Sequence, residues 1–177
     1  VFASRKSGKY EQALAIVRSL LFYNINRNEL VQNIGGTLLE TVKYREAISY
    51  LKSVTYKNES KYKDLARAYI LLHEYDSAMY YLNTASQIRG NLQSTQKNID
   101  HAYTLKYLSD INTQRGTLDK AITCYQQAVI QADPDFNDTN VLHNPASFYG
   151  LHQSFFLFDV LTAKAAALQM KYASGAG

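Results

Sequence analysis

The chain lacks most of the residues that would staple it, thread it through a membrane or commit it to a cofactor. A single cysteine, Cys124, excludes an internal disulfide and leaves the redox compartment open. Tryptophan is absent, and the two prolines, Pro134 and Pro145, both fall in turn-forming stretches. No apolar run is long enough to span a bilayer, and no signal peptide opens the chain. Neither sign of charge dominates: 19 Lys and Arg face 15 Asp and Glu, a net charge of +4. Residues 1–90 hold 13 basic against 8 acidic side chains, and residues 91–177 hold 6 against 7. That imbalance favours an acidic partner, but it is too small and scattered for nucleic acid, which wants basic residues on one face. With 46% hydrophobic and 19% charged residues over 177 positions, the sequence reads as globular, one ordinary domain or a short array.

What is present is a repeated box. It reads KYEQALAIV (Lys9–Val17), KYREAISYL (Lys43–Leu51), EYDSAMYYL (Glu74–Leu82) and TLDKAITCY (Thr117–Tyr125). Each copy sets an aromatic residue or leucine three positions before an alanine: Tyr10 and Ala13, Tyr44 and Ala47, Tyr75 and Ala78, Leu118 and Ala121. Apolar residues return four and seven positions after the alanine, with Val17 and Leu20 in the first copy and Tyr125 and Ala128 in the fourth. This spacing is one face of an α-helix, and the alanine allows a second helix to approach closely.

A second helix precedes each of the last three boxes. Sixteen residues before the alanine stand Val31, Tyr62 and Leu105, and thirteen before it Ile34, Leu65 and Leu108. A small residue follows each of the latter: Gly35, Ala66 or Ser109. Nine before the alanine are Leu38, Tyr69 and Asn112, and the asparagine fits poorly. Short turns join the two helices at Thr41–Lys43, Leu72–Glu74 and Gln114–Thr117. Gly116, like Gly8 before the first box, suits a residue of positive φ closing a helix. Each unit is therefore expected to be two antiparallel helices crossing at a small residue.

The pattern Leu65-Ala66-x-x-Tyr69…Tyr75-x-x-Ala78…Leu82…Ala85 resembles the tetratricopeptide repeat (TPR) family. Gly35 and Gly116 sit where that family often has glycine, Pro134 matches its closing proline approximately, and its early tryptophan is missing. The resemblance covers residues 1–135 and implies an all-α fold, a right-handed α-solenoid of about four helical hairpins with the first truncated. The alanine spacings are 34, 31 and 43 residues (47−13, 78−47 and 121−78), and the long one contains the polar stretch Gly90–Lys97, a loop or extra helical turns.

After the fourth box, Asp133–Asp138 reads as a helix stop with turn residues, opening a linker over 136–153. A terminal helix at 154–177 follows, the start of a further hairpin, in which Phe155, Phe158, Leu161, Ala165, Leu168 and Tyr172 keep helical spacing. Its outer face is expected to stay apolar. Both ends of the chain read as cuts through a longer protein, which leaves localisation open, with the cytoplasm favoured. Residues Tyr125–Tyr172 are similar to the last repeats of bacterial TPR proteins carrying a caspase-like CHAT domain. That similarity implies a peptidase domain beyond residue 177, for which this array would be a regulatory arm or a substrate-docking part.

Candidate chemistry is weak. Cys124 could pair with His73, His101, His143 or His152 as a thiol nucleophile, yet it lies inside a box helix as a small apolar residue would. Asp133, Asp135 and Asn137 open like a calcium loop, but Asp138 and Asn144 stand where glycine and glutamate are needed. The histidines show no zinc spacing. The fifteen tyrosines could stack on bases, but most occupy repeat core positions. No cofactor, metal, nucleic acid or membrane contact is expected.

The remaining candidate is the outward stripe of the first helices, which the resemblance places on a concave groove. Its residues are Gln32, Leu39, Lys63, Arg67, Ile70, Lys106, Asp110 and Gln114. Lys63, Arg67 and Lys106 would pair with carboxylates of a peptide, and Leu39 and Ile70 would supply apolar contact. Some TPR modules grip chaperone tails through Lys, Asn and Arg. Asn33 matches one such position, but Gln32, Gly36 and Tyr107 depart, so that clamp is not expected. The chain is thus expected to be a non-catalytic protein-interaction scaffold, with a self-assembly module as the alternative.

Overall fold

The computed structural model describes residues 10–20, 26–91, 96–147 and 150–175. Eight α-helices and no strand occur among them. In chain order they are α1 (Tyr10–Leu20), α2 (Arg27–Glu40), α3 (Tyr44–Ser53), α4 (Glu59–Leu71), α5 (Tyr75–Asn91), α6 (Ile99–Gln114), α7 (Leu118–Ala132) and α8 (Ser154–Ser174). The fold is therefore all-helical, with a repeat-like succession of helix pairs. The contacts divide it into two compact units, Val1–Ile88 and Arg89–Gly177, with the division inside α5.

Three hairpins, α2/α3, α4/α5 and α6/α7, turn in the same way. Five residues before each box alanine stands a residue of positive φ: Val42 (62°), His73 (59°) and Gly116 (72°). The N–H of the following residue reaches back to the carbonyl nine positions before the alanine. These bonds are Lys43 to Leu38 (3.1 Å), Glu74 to Tyr69 (2.9 Å) and Thr117 to Asn112 (2.9 Å). Inside each lies a second bond, from Val42 to Leu39, His73 to Ile70 and Gly116 to Thr113. This paired arrangement is the Schellman motif, which satisfies the last carbonyls of the first helix. Asn112, the poor fit, has a local reason: Thr117 Oγ1 donates to its side-chain oxygen at 2.9 Å and also to its main-chain carbonyl. Gly8 lies outside the described residues.

The small residues sit at the crossings. Ala13, Ala47, Ala78 and Ala121 are all fully buried, as are Ala66 and Ser109. At the α2/α3 crossing the approach is close: a Cβ on Gly35 would stand 2.6 Å from Leu51 Cγ and 2.7 Å from its Cδ2. Three tyrosines pack together inside the α4/α5 hairpin. Tyr62 and Tyr69 of α4 both stack on Tyr81 of α5, at centroid distances of 6.1 and 5.4 Å. Two side chains cap first helices: Asn58 accepts from the Lys61 N–H on α4, and Asn98 from the His101 N–H on α6.

Side-chain bonds in the first unit recur at about one repeat length. Arg18 pairs with Glu46, Lys43 with Glu11 and Arg45 with Glu74 between successive box helices. Arg67 pairs with Glu40, and Gln32 donates to Ser60, between successive first helices.

In the second unit α8 runs antiparallel to α7. Lys164 meets Gln126, and seven residues further along α8 Lys171 pairs with Asp119, seven residues back along α7. The buried side of α8 is Phe156, Leu157, Val160, Lys164 and Ala167. The spaced set Phe155, Phe158, Ala165 and Tyr172 faces outward, with Leu161 and Leu168 at the margins. Phe155 is 90% exposed and Phe158 64%. The helix is apolar on both sides, so spacing alone does not select the inward one. Of the polar stretch Gly90–Lys97, Gly90 and Asn91 belong to the last turn of α5, and residues 92–95 lie outside the described residues. The described part of 136–153 holds no helix.

Candidate interaction surface

The sequence-predicted groove residues divide between the units. Gln32, Leu39, Lys63, Arg67 and Ile70 belong to the first unit, and Lys106, Asp110 and Gln114 to the second. Leu39, expected to offer apolar contact, is 3% exposed and serves the core instead, because the second half of α2 is packed nearly all round. Ile70 and Lys63 are half-buried, and Gln114 is exposed. Gln32 is held in place: the Tyr56 hydroxyl donates to its Oε1 at 2.7 Å, and its Nε2 donates to Ser60 at 3.2 Å.

Two of the basic residues of the stripe, Arg67 and Lys106, already have acidic partners. Arg67 lies 2.8 Å from Glu40, with side-chain exposures of 34% and 30%. Lys106 lies 2.9 Å from Asp110 and 3.0 Å from Asp159 of α8. The Tyr125 hydroxyl donates to the other oxygen of Asp110 at 2.7 Å, so one carboxylate links α6 to α7. Burial works against the charge on Lys106, but Asp110 and Asp159 outweigh it and hold the ammonium above its usual range. Burial first, then the bond to Asp110, pushes the Tyr125 phenol well up and keeps it a neutral donor.

A second polar cluster, not anticipated from the sequence, anchors the chain between α7 and α8. Lys164, 2% exposed, donates to Gln126 Oε1 at 2.6 Å and to the His143 carbonyl at 3.0 Å. Gln126 Nε2 donates to the Asp138 carbonyl at 2.6 Å. Lys97 donates to the carbonyls of Asp133, Pro134 and Phe136 at 2.5, 2.9 and 2.7 Å. Three side chains thus hold the segment by its main chain. Burial lowers the Lys164 pKa to about 8. The signal for Lys164 was available in principle, since it is a cation in the middle of an apolar helix, in register with Leu157 and Val160. The signal for Lys97 was not, since its acceptors are main-chain atoms 36 to 39 residues away.

Cys124 is half-buried and burial raises its thiol pKa, the opposite of an activated nucleophile. His143 meets Asp138 at 2.7 Å, and that bond holds the carboxyl below its usual range. Asp133, Asp138 and Asn140 each accept the N–H two residues on, which makes the segment a series of side-chain turns. Among the described residues no group of three His, Cys, Asp or Glu could hold a metal, and no helix is long and apolar enough to cross a membrane. No protein-family model matches this chain, and no curated protein does either.

Proposed function

We propose that the chain is a non-catalytic protein-interaction module, a right-handed solenoid of TPR-type hairpins that binds a peptide or protein through the outward side of its first helices. The supporting observation is the recurrence of one hairpin design. In three hairpins the same register positions carry the positive-φ turn residue, the buried alanine and the small residue opposite it. Repeated pairs that bury the same face leave the same face outward each time, which is how repeat proteins build extended binding surfaces. The setting implied by the CHAT resemblance is a regulatory or sensor arm of a larger protein.

The ion pairs refine the chemistry of the partner. Arg67 and Glu40 are each about one-third exposed, so a partner carboxylate can replace the internal one at little net cost. An acidic segment suits that exchange. The test is capture of partners by the chain and by its Lys63→Glu/Arg67→Glu variant at matched helicity. A partner kept by the parent chain and lost by the variant is the expected result. Equal recovery by both would remove these residues from the binding surface.

A further inference from the structure

The segment from Asp133 to Ser147 leaves α7 with no helix of its own, and its course is set at two ends by two lysines. The first end is the C-terminus of α7. Lys97 lies two residues before α6, and its neighbour Asn98 is fixed twice: its side chain accepts from the His101 N–H, and its own N–H donates to Gln131 Oε1 of α7 at 3.1 Å. From that position the Lys97 ammonium spends its three donors on the carbonyls of Asp133, Pro134 and Phe136. These follow directly on the negative end of the α7 dipole, where a cation is favoured.

The second end is held by α8 itself. The His143 carbonyl accepts from Lys164, and Gln126 Nε2 donates to the carbonyls of Asp138 and His143 at 2.6 and 3.3 Å. The buried Lys164 ammonium has two uncharged acceptors, the His143 carbonyl and Gln126 Oε1. If the segment lifts, one of the two is lost. A buried charge stripped of a partner is strongly destabilising, and α8 relieves it by moving with the segment and taking the ammonium to water. Phe136 and Val141 of the segment also pack against the apolar core that α7 and α8 share, so lifting uncovers that seam as well. The α6/α7 hairpin has ties of its own, in the buried Ser109 and Ala121 and the Tyr125 bond to Asp110.

We propose that residues 133–147 are a latch on α8: Lys97 fastens one end and Lys164 the other, and release of Lys97 frees the segment and α8 together while α6 and α7 stay paired. The two fastenings differ in access. Lys164 is sealed in the core, whereas Lys97 is half-buried, so the latch is worked from the Lys97 end. The side chain that controls α8 is thus one that makes its bonds to the segment rather than to α8. This device is separate from the stripe of Lys63 and Arg67, and the two succeed or fail independently.

The test is native-state hydrogen exchange of the full chain, resolved by residue with NMR. Lys97→Met keeps the aliphatic stem and removes the ammonium. In that variant the α8 amides from Leu157 to Leu168 should exchange about tenfold faster or more, the factor for losing a hydrogen bond to a charged group. Amides of α6 and α7, such as those of Leu108 and Val129, should change far less. In a Lys164→Met background there is no ammonium to strand, so adding Lys97→Met should leave α8 exchange unchanged. Unaltered α8 exchange in Lys97→Met would overturn the proposal, as would equal acceleration in α6, α7 and α8. An α8 response that persists in the Lys164→Met background would overturn it too, by showing that the coupling does not run through Lys164. The first two outcomes need only the Lys97 variant, so the proposal is decided even if Lys164→Met does not fold.

Discussion

Replacing Gly35 with alanine tests whether the small residue at a helix crossing is a packing requirement. In a helix interior this change normally stabilises by about 1 kcal/mol, because alanine loses less backbone freedom. Here the new methyl would lie 2.6 Å from Leu51 Cγ and 2.7 Å from Cδ2, far inside contact distance. Leu51 is fully buried, so its side chain has no solvent to swing into. Overpacking of this kind costs about 1–3 kcal/mol, which outweighs the propensity gain and leaves a net loss of about 1 kcal/mol. The control is a double-mutant cycle with Leu51→Ala. That change alone costs about 2–5 kcal/mol, and in its presence Gly35→Ala should become stabilising, a coupling of about 2 kcal/mol. Urea unfolding followed by circular dichroism at 222 nm reads all four corners. If Gly35→Ala stabilises equally with and without Leu51, the crossing is not close-packed and the reasoning fails.

Val42 holds a β-branched side chain at φ 62° while 69% exposed, so Val42→Gly removes strain without removing packing. Relief of about 1–2 kcal/mol less the cost of a freer unfolded chain should stabilise by about 0.5–1 kcal/mol, seen as a raised urea midpoint. A second prediction concerns pH. The folded pKa of Lys164, about 8, lies below its unfolded value of about 10.4, so between them the unfolded chain binds the extra proton and stability rises with pH. The rise is at most about 3 kcal/mol, reduced by the two hydrogen bonds that favour the charged form. Tyr125 acts in the opposite sense once unfolded tyrosine ionises near pH 10. Thermal melts should therefore shift upward from pH 7.5 to 9.5 and turn down above 10, and Lys164→Met should flatten the first limb.

Most helix boundaries and the hairpin turns were legible because they depend on local chemistry. A box alanine, a bulky residue three before it and a turn five before it lie within one or two helical turns, and periodicity captures them. Two of the three turns use Val42 and His73 where glycine is favoured, so residue type alone would have found only Gly116. The charged contacts were not legible for the opposite reason. Arg67 meets Glu40 across 27 residues, and Lys106 meets Asp159 across 53 (159−106), distances at which spacing carries no information. The same holds for Leu39, which looked outward on a helix wheel but sits in a helix packed on more than one side. In α8 the sequence showed that an apolar stripe exists. It did not show that a second stripe, with Lys164 in it, would be the buried one.

The proposal that these hairpins stack into an open solenoid is tested most directly by small-angle X-ray scattering of the chain in solution. A compact 177-residue domain would have a radius of gyration of about 16 Å. The solenoid predicts a value clearly above this, with a pair-distance distribution skewed to long vectors. A radius near 16 Å with a symmetric distribution would contradict it.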